Sequence, residues 1–252
     1  MSNETSSLVE RVVSEIKHDI MAGTLPTGSK LSSERDLATR FSVSRITIRA
    51  AISKLVNLGF VQTMPQSGTT IRDFWNDGTL DLLIDVVSSS GPVDRNILLS
   101  LLDLRKIVEV YAAGRAAQAM DEKDITHLSG IIDSMEAAEN SVAALVELDY
   151  ALHAHFIRKA GNRVIQLIFN SCRPVYMFYL DFFYRIPDSR ELIFPYYRKL
   201  IEAARAKDEI YASFIMEQLL LAAENAVKMK LDPEQSVIIL RSLFPVSGIN
   251  IP

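Results

Sequence analysis

Cysteine is almost missing from this chain of 252 residues: Cys172 stands alone. That excludes an internal disulfide and any cysteine-based zinc site, and a lone thiol reads first as a small buried apolar side chain. No uninterrupted apolar run approaches the ~18 residues of a membrane span. The opening MSNETSSLVERVV has no basic region followed by an apolar core, so no signal peptide is expected. These absences predict a soluble protein in a reduced, cytoplasmic compartment with no membrane partner. No glycine-rich phosphate loop follows a strand and no Gly-x-Ser-x-Gly occurs, which leaves nucleotide-binding and serine-hydrolase readings without support. Internal repeats and low-complexity tracts are missing as well.

Positive charge is also in short supply, with 27 Lys and Arg against 31 Asp and Glu for a net charge of −4. The average hides an asymmetry. Between residues 30 and 72 lie Lys30, Arg35, Arg40, Arg45, Arg49, Lys54 and Arg72 against Glu34 and Asp36 alone. A basic patch on an acidic protein implies one face meant for a polyanion and a remainder that avoids one.

What is present in the first seventy residues is a sequence of start and stop signals. Val9, Val12, Val13, Ile16 and Ile20 follow helical spacing, predicting an amphipathic helix over 8–22 that ends at Gly23. Ser33 precedes Glu34-Arg35-Asp36, a capping-box-like start with Asp36 in the usual Glu or Gln position. Leu37, Ala38 and Phe41 form the buried stripe of that short helix, and Ser42-Val43 turns the chain. Ser44 then caps a second helix running to about Leu58 and stopped by Gly59. Two short helices joined so tightly make a helix-turn-helix. In the second, Arg45 and Arg49 are i and i+4 and project from one face, with Thr47 near the N-terminal end. Arginine so placed can pair bidentately with guanine in the major groove. Phe60–Thr63 and Thr69–Arg72 flank the turn Pro65-Gln66-Ser67-Gly68, so a β-hairpin, or wing, is expected after the recognition helix.

The stretch GTLPTGSKLSSERDLATRFSVSRITIRAAISKLVNLGFVQTMPQSGTTI resembles the DNA-binding domain of the GntR family of regulators. It carries P-x-G, S-E-R-x-L-A, V-S-R-x-x-[IV]-R and L-x-x-x-G in order. The resemblance implies operator contacts from Arg35, Ser44, Arg45, Thr47 and Arg49, and from Gln66, Ser67 and Gly68 at the wing tip. The family resemblance extends to its FadR branch through ELDYALHAHFIRKAGNRVIQLIFN and through DFWNDGTLDLL after the wing. The fold class so predicted is mainly α: an N-terminal winged helix-turn-helix, residues 1–73, and a C-terminal all-helical bundle of FadR type, residues 79–245, for effector binding and dimerisation. Residues 74–78 are the expected linker, with Trp75 as a packing wedge at the junction.

Helical periods in the second half predict helices near 79–89, 94–119, 122–139, 142–161, 163–186, 190–206, 208–229 and 233–242. Many members of the branch hold a divalent metal with one aspartate and three histidines. Asp149 and His153 match the first two, but Tyr197 and Gln218 fall where the other histidines belong, so neither metal nor other cofactor is expected. A buried, hydrogen-bonded Asp149–His153 pair with Tyr197 and Gln218 as neighbours is the expected arrangement. Tyr176, Tyr179 and Phe183 share a helix face, and Arg105 is a candidate buried cation facing an anionic group. Together these residues predict a pocket for a large, partly apolar ligand, and the resemblance implies a fatty acyl or related apolar, anionic metabolite. The chain then reads as a ligand-responsive repressor, binding a pseudo-palindromic operator of double-stranded DNA as a homodimer. Two alternatives stay open: a relative answering to a small organic acid through a metal, and a metal-dependent enzyme using Asp149 and His153.

Overall fold

The computed structural model describes residues 2–78, 82, 93–138, 141–230 and 237–238. The chain forms two compact units, Met1–Gly91 and Pro92–Pro252.

In the first unit α1 (Ser2–Met21) starts earlier than its apolar stripe alone predicts. It buries Val12, Val13, Ile16 and Ile20. The recognition motif sits on that base. Ser33 caps α2 (Glu34–Phe41): its Oγ accepts from the Asp36 amide at 3.2 Å and donates to the Asp36 carboxylate at 2.6 Å. Asp36 thus holds the cap's hydroxyl. Ser42 turns the chain at a positive φ of 53°, and Ser44 caps α3 (Arg45–Asn57) by accepting from the Thr47 amide at 3.1 Å. Ile48, Ala51 and Leu55 bury the inner face of α3 against Leu37, Phe41 and α1. Each such side chain contributes on the order of 1.5–3 kcal/mol by leaving water, enough to hold the exposed face of α3 at a fixed angle.

The wing is an antiparallel pair of β1 (Val61–Met64) and β2 (Gly68–Ile71), in register from Val61 opposite Ile71 to Met64 opposite Gly68. Gln66 at φ 64° and Gly68 at φ 86° turn the tip. Residues 28–31 brace its other edge, with the amides of Gly28 and Leu31 donating to the carbonyls of Ile71 and Thr69. After the wing, part of the expected linker is a helical turn, α4 (Phe74–Asp77), capped by Asp73. Phe74, not Trp75, is the buried aromatic here: Phe74 packs 5.7 Å from the Phe60 ring, while Trp75 is 70% exposed. Within this unit Phe74 takes the inward position and Trp75 the outward one. Leu82 joins the same core.

In the second unit a short pair, β3 (Val93–Asp94) and β4 (Val237–Ile238), joins the two ends of the helical array. Helix α5 (Arg95–Ala119) runs against α7 (Val142–Lys159) and α11 (Glu209–Lys230). Between them lie α6 (Glu122–Ala137), α8 (Arg163–Ser171), α9 (Arg173–Tyr184) and α10 (Ser189–Arg205). Ala112, Ala113, Ala116 and Ala117 on α5 are buried, and small residues there let neighbouring helices come close. A Cβ at Gly114 would lie 2.4 Å from Ser213 Oγ of α11.

Two helical expectations are corrected. The single helix predicted over 163–186 is broken into α8 and α9 at Cys172, where Pro174, lacking an N–H, takes a place in the first turn of α9. The helix predicted at 233–242 gives way at Val237–Ile238 to strand pairing, as the β-branched run there favours. The rest of that segment, and all of 79–89 except Leu82, lies outside the described residues. Among the described residues no helix is long and apolar enough to cross a membrane.

Candidate nucleic-acid interface and ligand cleft

Helix α3 presents Ser44, Arg45, Ile46, Arg49 and Ala50 on its open side. Arg45 makes no ion pair or hydrogen bond among the described residues. Arg49 donates from Nε to Glu34 Oε2 at 2.8 Å, an exposed pair across α2 and α3. Such pairs contribute ~0–1 kcal/mol, against ~1–3 kcal/mol for a bidentate arginine–guanine contact, so the pair with Glu34 is too weak to withhold Arg49 from such a contact. Arg35 is largely exposed, with Asp36 loosely placed at 3.7 Å. The wing tip exposes Gln66, Ser67 and Gly68. Thr47 is the exception among the expected contacts. It is 3% exposed, and its hydroxyl lies 2.9 Å from Ser44 Oγ. Its position two residues beyond Arg45 turns it inward, so it braces the cap and does not face a groove.

Other basic residues are engaged within the unit. Arg40 pairs with Asp19 at 2.6 Å, Lys54 with Glu10 at 2.7 Å and Arg72 with Asp77 at 3.6 Å. Among the described residues of this stretch Lys30 and Arg45 make no ion pair, and Arg35 and Arg49 are held only by exposed ones, all around the recognition helix and the edge of the wing.

The second unit contains a cleft of about 510 Å³, open mouth included, between α5, α8 and α9. Leu101, Leu102, Leu104, Val108, Ile168, Phe169 and Val175 make its walls apolar. Behind these walls runs a continuous chain of buried polar groups. Arg105 donates from Nε to Glu109 at 2.7 Å and from a terminal nitrogen to the Tyr176 hydroxyl at 2.7 Å. Its guanidinium lies 4.4 and 4.9 Å from the ring centres of Tyr176 and Tyr179. The other Glu109 oxygen bonds His153 Nδ1, and His153 Nε2 meets the Tyr197 hydroxyl at 3.2 Å. Tyr197 and Tyr184 both donate to Asp149 Oδ2 at 2.5 Å.

Burial alone would push the Glu109 carboxyl up, but Arg105 and His153 overrule it and hold it down at about 2. Burial likewise lowers Arg105, and the Glu109 charge beside it more than reverses this. Tyr176, Tyr179, Tyr184 and Tyr197 are all raised, first by burial, so their hydroxyls stay protonated and act as donors. Within this group, Asp149 Oδ1 and the Tyr179 hydroxyl have no hydrogen-bond partner among the described residues.

Of the residues expected to form one pocket, Arg105, Tyr176 and Tyr179 line the cleft. Asp149, His153 and Tyr197 stand behind it in the polar chain. Phe183 is buried and stacks on Tyr179, with ring centres 6.4 Å apart. Gln218 is half-buried and forms no hydrogen bond with this group. Asp149 and His153 are not a bonded pair as expected. Their closest approach is 3.6 Å, since each spends its bonding capacity on tyrosine or Glu109. The expected anionic group opposite Arg105 is the protein's own Glu109. Glu109 was not singled out by sequence reasoning. Glu109 lies four residues after Arg105, in line with the inward Ala112, Ala113 and Ala116, and that spacing was the available signal. His155 faces elsewhere, toward Asp124 at 2.9 Å, and burial lowers its pKa.

A four-ligand metal site does not fit these residues. Tyr197 occupies Asp149 and the outer nitrogen of His153, Glu109 takes the inner nitrogen, and Gln218 is not joined to them. Among the described residues no group of three or more His, Cys, Asp or Glu side chains is arranged to hold a metal ion.

Two family models match the chain: bacterial regulatory proteins, gntR family, over residues 8–71, and the FCD domain over residues 100–222. The chain is similar to the HTH-type transcriptional regulator Mce2R of Mycobacterium tuberculosis, 30% identical over 173 residues, 68% of this chain and 70% of that one. It is also similar to the fatty acid metabolism regulator protein of Shewanella denitrificans, 27% identical over 202 residues, 80% and 82% of the two chains. Among solved structures, E. coli McbR/YncC matches with a TM-score of 0.50 at 16% identity, covering 88% of this chain and 98% of that one. Lar, which controls expression of the Listeria monocytogenes agr system, matches with a TM-score of 0.52 at 20% identity, covering 88% and 96%. At these identities the structures speak for the fold alone. Helix-turn-helix, wing and helical domain meet in one conclusion: the chain belongs to the gntR family of bacterial regulatory proteins, with an FCD domain behind its DNA-binding head, and is a transcriptional regulator, not an enzyme.

Proposed function

We propose that the protein is a homodimeric, cytoplasmic repressor that holds a pseudo-palindromic operator through residues 1–73 and releases it when residues 79–245 take up a fatty acyl or related apolar metabolite. One observation carries the reading. Among the described residues Arg45 makes no ion pair and Arg49 is held only by an exposed one, on a helix capped and packed into a fixed orientation beside the wing. Cations so placed on a capped helix favour direct binding of duplex DNA by this face. The apolar walls of the cleft support an acyl chain as that effector, and the name of the Shewanella relative agrees with it. The rival reading, a small organic acid held through a metal, loses support from the closed polar chain around Asp149 and His153. Native mass spectrometry of freshly purified protein, followed by operator titration with and without the released compound, tests the proposal. An apolar compound that weakens operator binding is expected. A compound that strengthens it would make the protein a co-repressed or activating regulator.

A further inference from the structure

On the reading of α3 as the helix that enters the major groove, we infer that Ile46 selects a thymine there by packing on that base's C5-methyl group, beside the bases met by Arg45 and Arg49.

Three isoleucines lie on α3, and two of them serve the fold. Ile48 is fully buried, and Ile52 is half-buried against the core of the head. Ile46 takes no part in that core and is 77% exposed. Its direction is set by its neighbours: Thr47 and Ile48 are both buried, which turns Arg45, Ile46 and Arg49 outward. Ala50, one turn on from Ile46, is exposed as well. The open side of α3 thus carries a cationic row, Arg45 and Arg49, and beside it an uncharged row, Ile46 and Ala50. A single exposed isoleucine elsewhere on a surface would carry no message. This one shares its turn with the two arginines.

An arginine can bond a phosphate or a base edge, and an isoleucine can bond neither. The apolar group that the major groove offers is the thymine C5-methyl. Packing Ile46 on it removes hydrocarbon from water on both partners. Against the amino group of cytosine, or O6 and N7 of guanine, the same side chain would displace water and return no hydrogen bond. Preference for thymine therefore comes from attraction and exclusion together. The β-branch helps, because in a helix isoleucine holds essentially one χ1 rotamer and loses little freedom on contact.

The test uses the full-length protein and the duplex it selects from a randomised pool. Each thymine of that duplex is replaced in turn by uracil, which pairs alike and lacks only the methyl. At least one replacement should weaken wild type about fourfold, the effect of one buried methyl group. Ile46→Ala should melt with wild type, bind the thymine duplex less tightly, and no longer distinguish it from the uracil one. Ile46→Val, which keeps the branch, should retain the discrimination. Uracil tolerated at every position would overturn the inference. So would an Ile46→Ala protein that loses as much as wild type on the same replacement, since another group would then be reading the methyl. Arg45→Ala keeps the underlying reading separate. If that variant binds the selected duplex like wild type, α3 does not read the groove at all. If it binds weakly while Ile46→Ala behaves as wild type, α3 keeps its place and Ile46 alone loses its role.

Discussion

At the scale of single residues the protein separates groups that read DNA from groups that hold them. Arg45 and Arg49 lie on an exposed face, so Arg45→Ala and Arg49→Ala should each weaken specific operator binding by ~1–3 kcal/mol without lowering the melting temperature. Thr47 is buried against the Ser44 cap. Thr47→Val should therefore do the reverse, costing roughly 0.5–2 kcal/mol of stability with unchanged affinity per folded molecule in anisotropy titrations. The Glu109 carboxyl gives a second residue-scale expectation. Its pKa falls from an ordinary 4.5 to about 2 in the folded chain, so it stabilises the fold fully above pH 4.5. That stability, roughly 3 kcal/mol, is lost as the pH drops from 4.5 toward 2. Asp124, lowered by Lys159, the Asp121 amide and His155 against its burial, acts in the same direction. Urea denaturation of wild type and Glu109→Gln between pH 6 and pH 3 checks it. The variant should lose less stability over that interval, and equal losses would show that Glu109 is not the titrating group.

At the scale of elements the head was legible in detail because its signals are local. Caps at Ser33 and Ser44, the αL turn at Ser42 and the wing turn at Gln66 to Gly68 each act within four residues, and sequence shows them directly. The helical domain was legible as periods but not as pairings. Cys172 and Pro174 divide a period that looks continuous, and the polar chain joins residues from α5, α7, α9 and α10. Spacing within one helix revealed Arg105, Asp149 and His153 one at a time. Nothing in it showed that Glu109 would come between Arg105 and His153, or that Tyr184 and Tyr197 would converge on one carboxylate oxygen. Helix packing makes its own prediction at Gly114. A Cβ there would meet Ser213 Oγ at 2.4 Å and the Glu209 carbonyl oxygen at 3.0 Å. Gly114→Ala should force α5 and α11 apart and cost ~1–3 kcal/mol. Adding Ser213→Ala should recover part of the loss, since the Glu209 backbone remains. A Gly114→Ala protein as stable as wild type would mean that the two helices do not pack this closely.

At the scale of the whole molecule, a regulator that reads a pseudo-palindrome needs a second copy of itself, and the helical domain has a face suited to one. Helices α5 and α11 run antiparallel, as Gly114 meets Glu209 and Ser213 while Lys106 reaches Glu224 at 2.9 Å. Their outward stripes therefore share one side. Ile107 and Tyr111 come from α5, and Ile210 and Phe214 from α11, with Ile107 71% and Ile210 83% exposed. Arg115 and Glu217 stand exposed on the same stripes and make no ion pair among the described residues. A two-fold interface must be complementary to itself, and an apolar centre flanked by one free cation and one free anion meets that condition. We propose this face as the dimer contact. Tyr111→Glu and Phe214→Glu each place a charge in it without touching the core or the cleft. Both variants should sediment as monomers at micromolar concentration with the wild-type melting of a folded domain. Losing the covalent-like link between two heads should weaken full-operator binding by ~10²–10⁴, while binding to an isolated half-site stays unchanged. A dimer that survives both substitutions would move the contact to another face. A monomer that still binds the full operator at wild-type affinity would remove the need for a dimer, because two joined heads must bind the full operator more tightly than two separate ones.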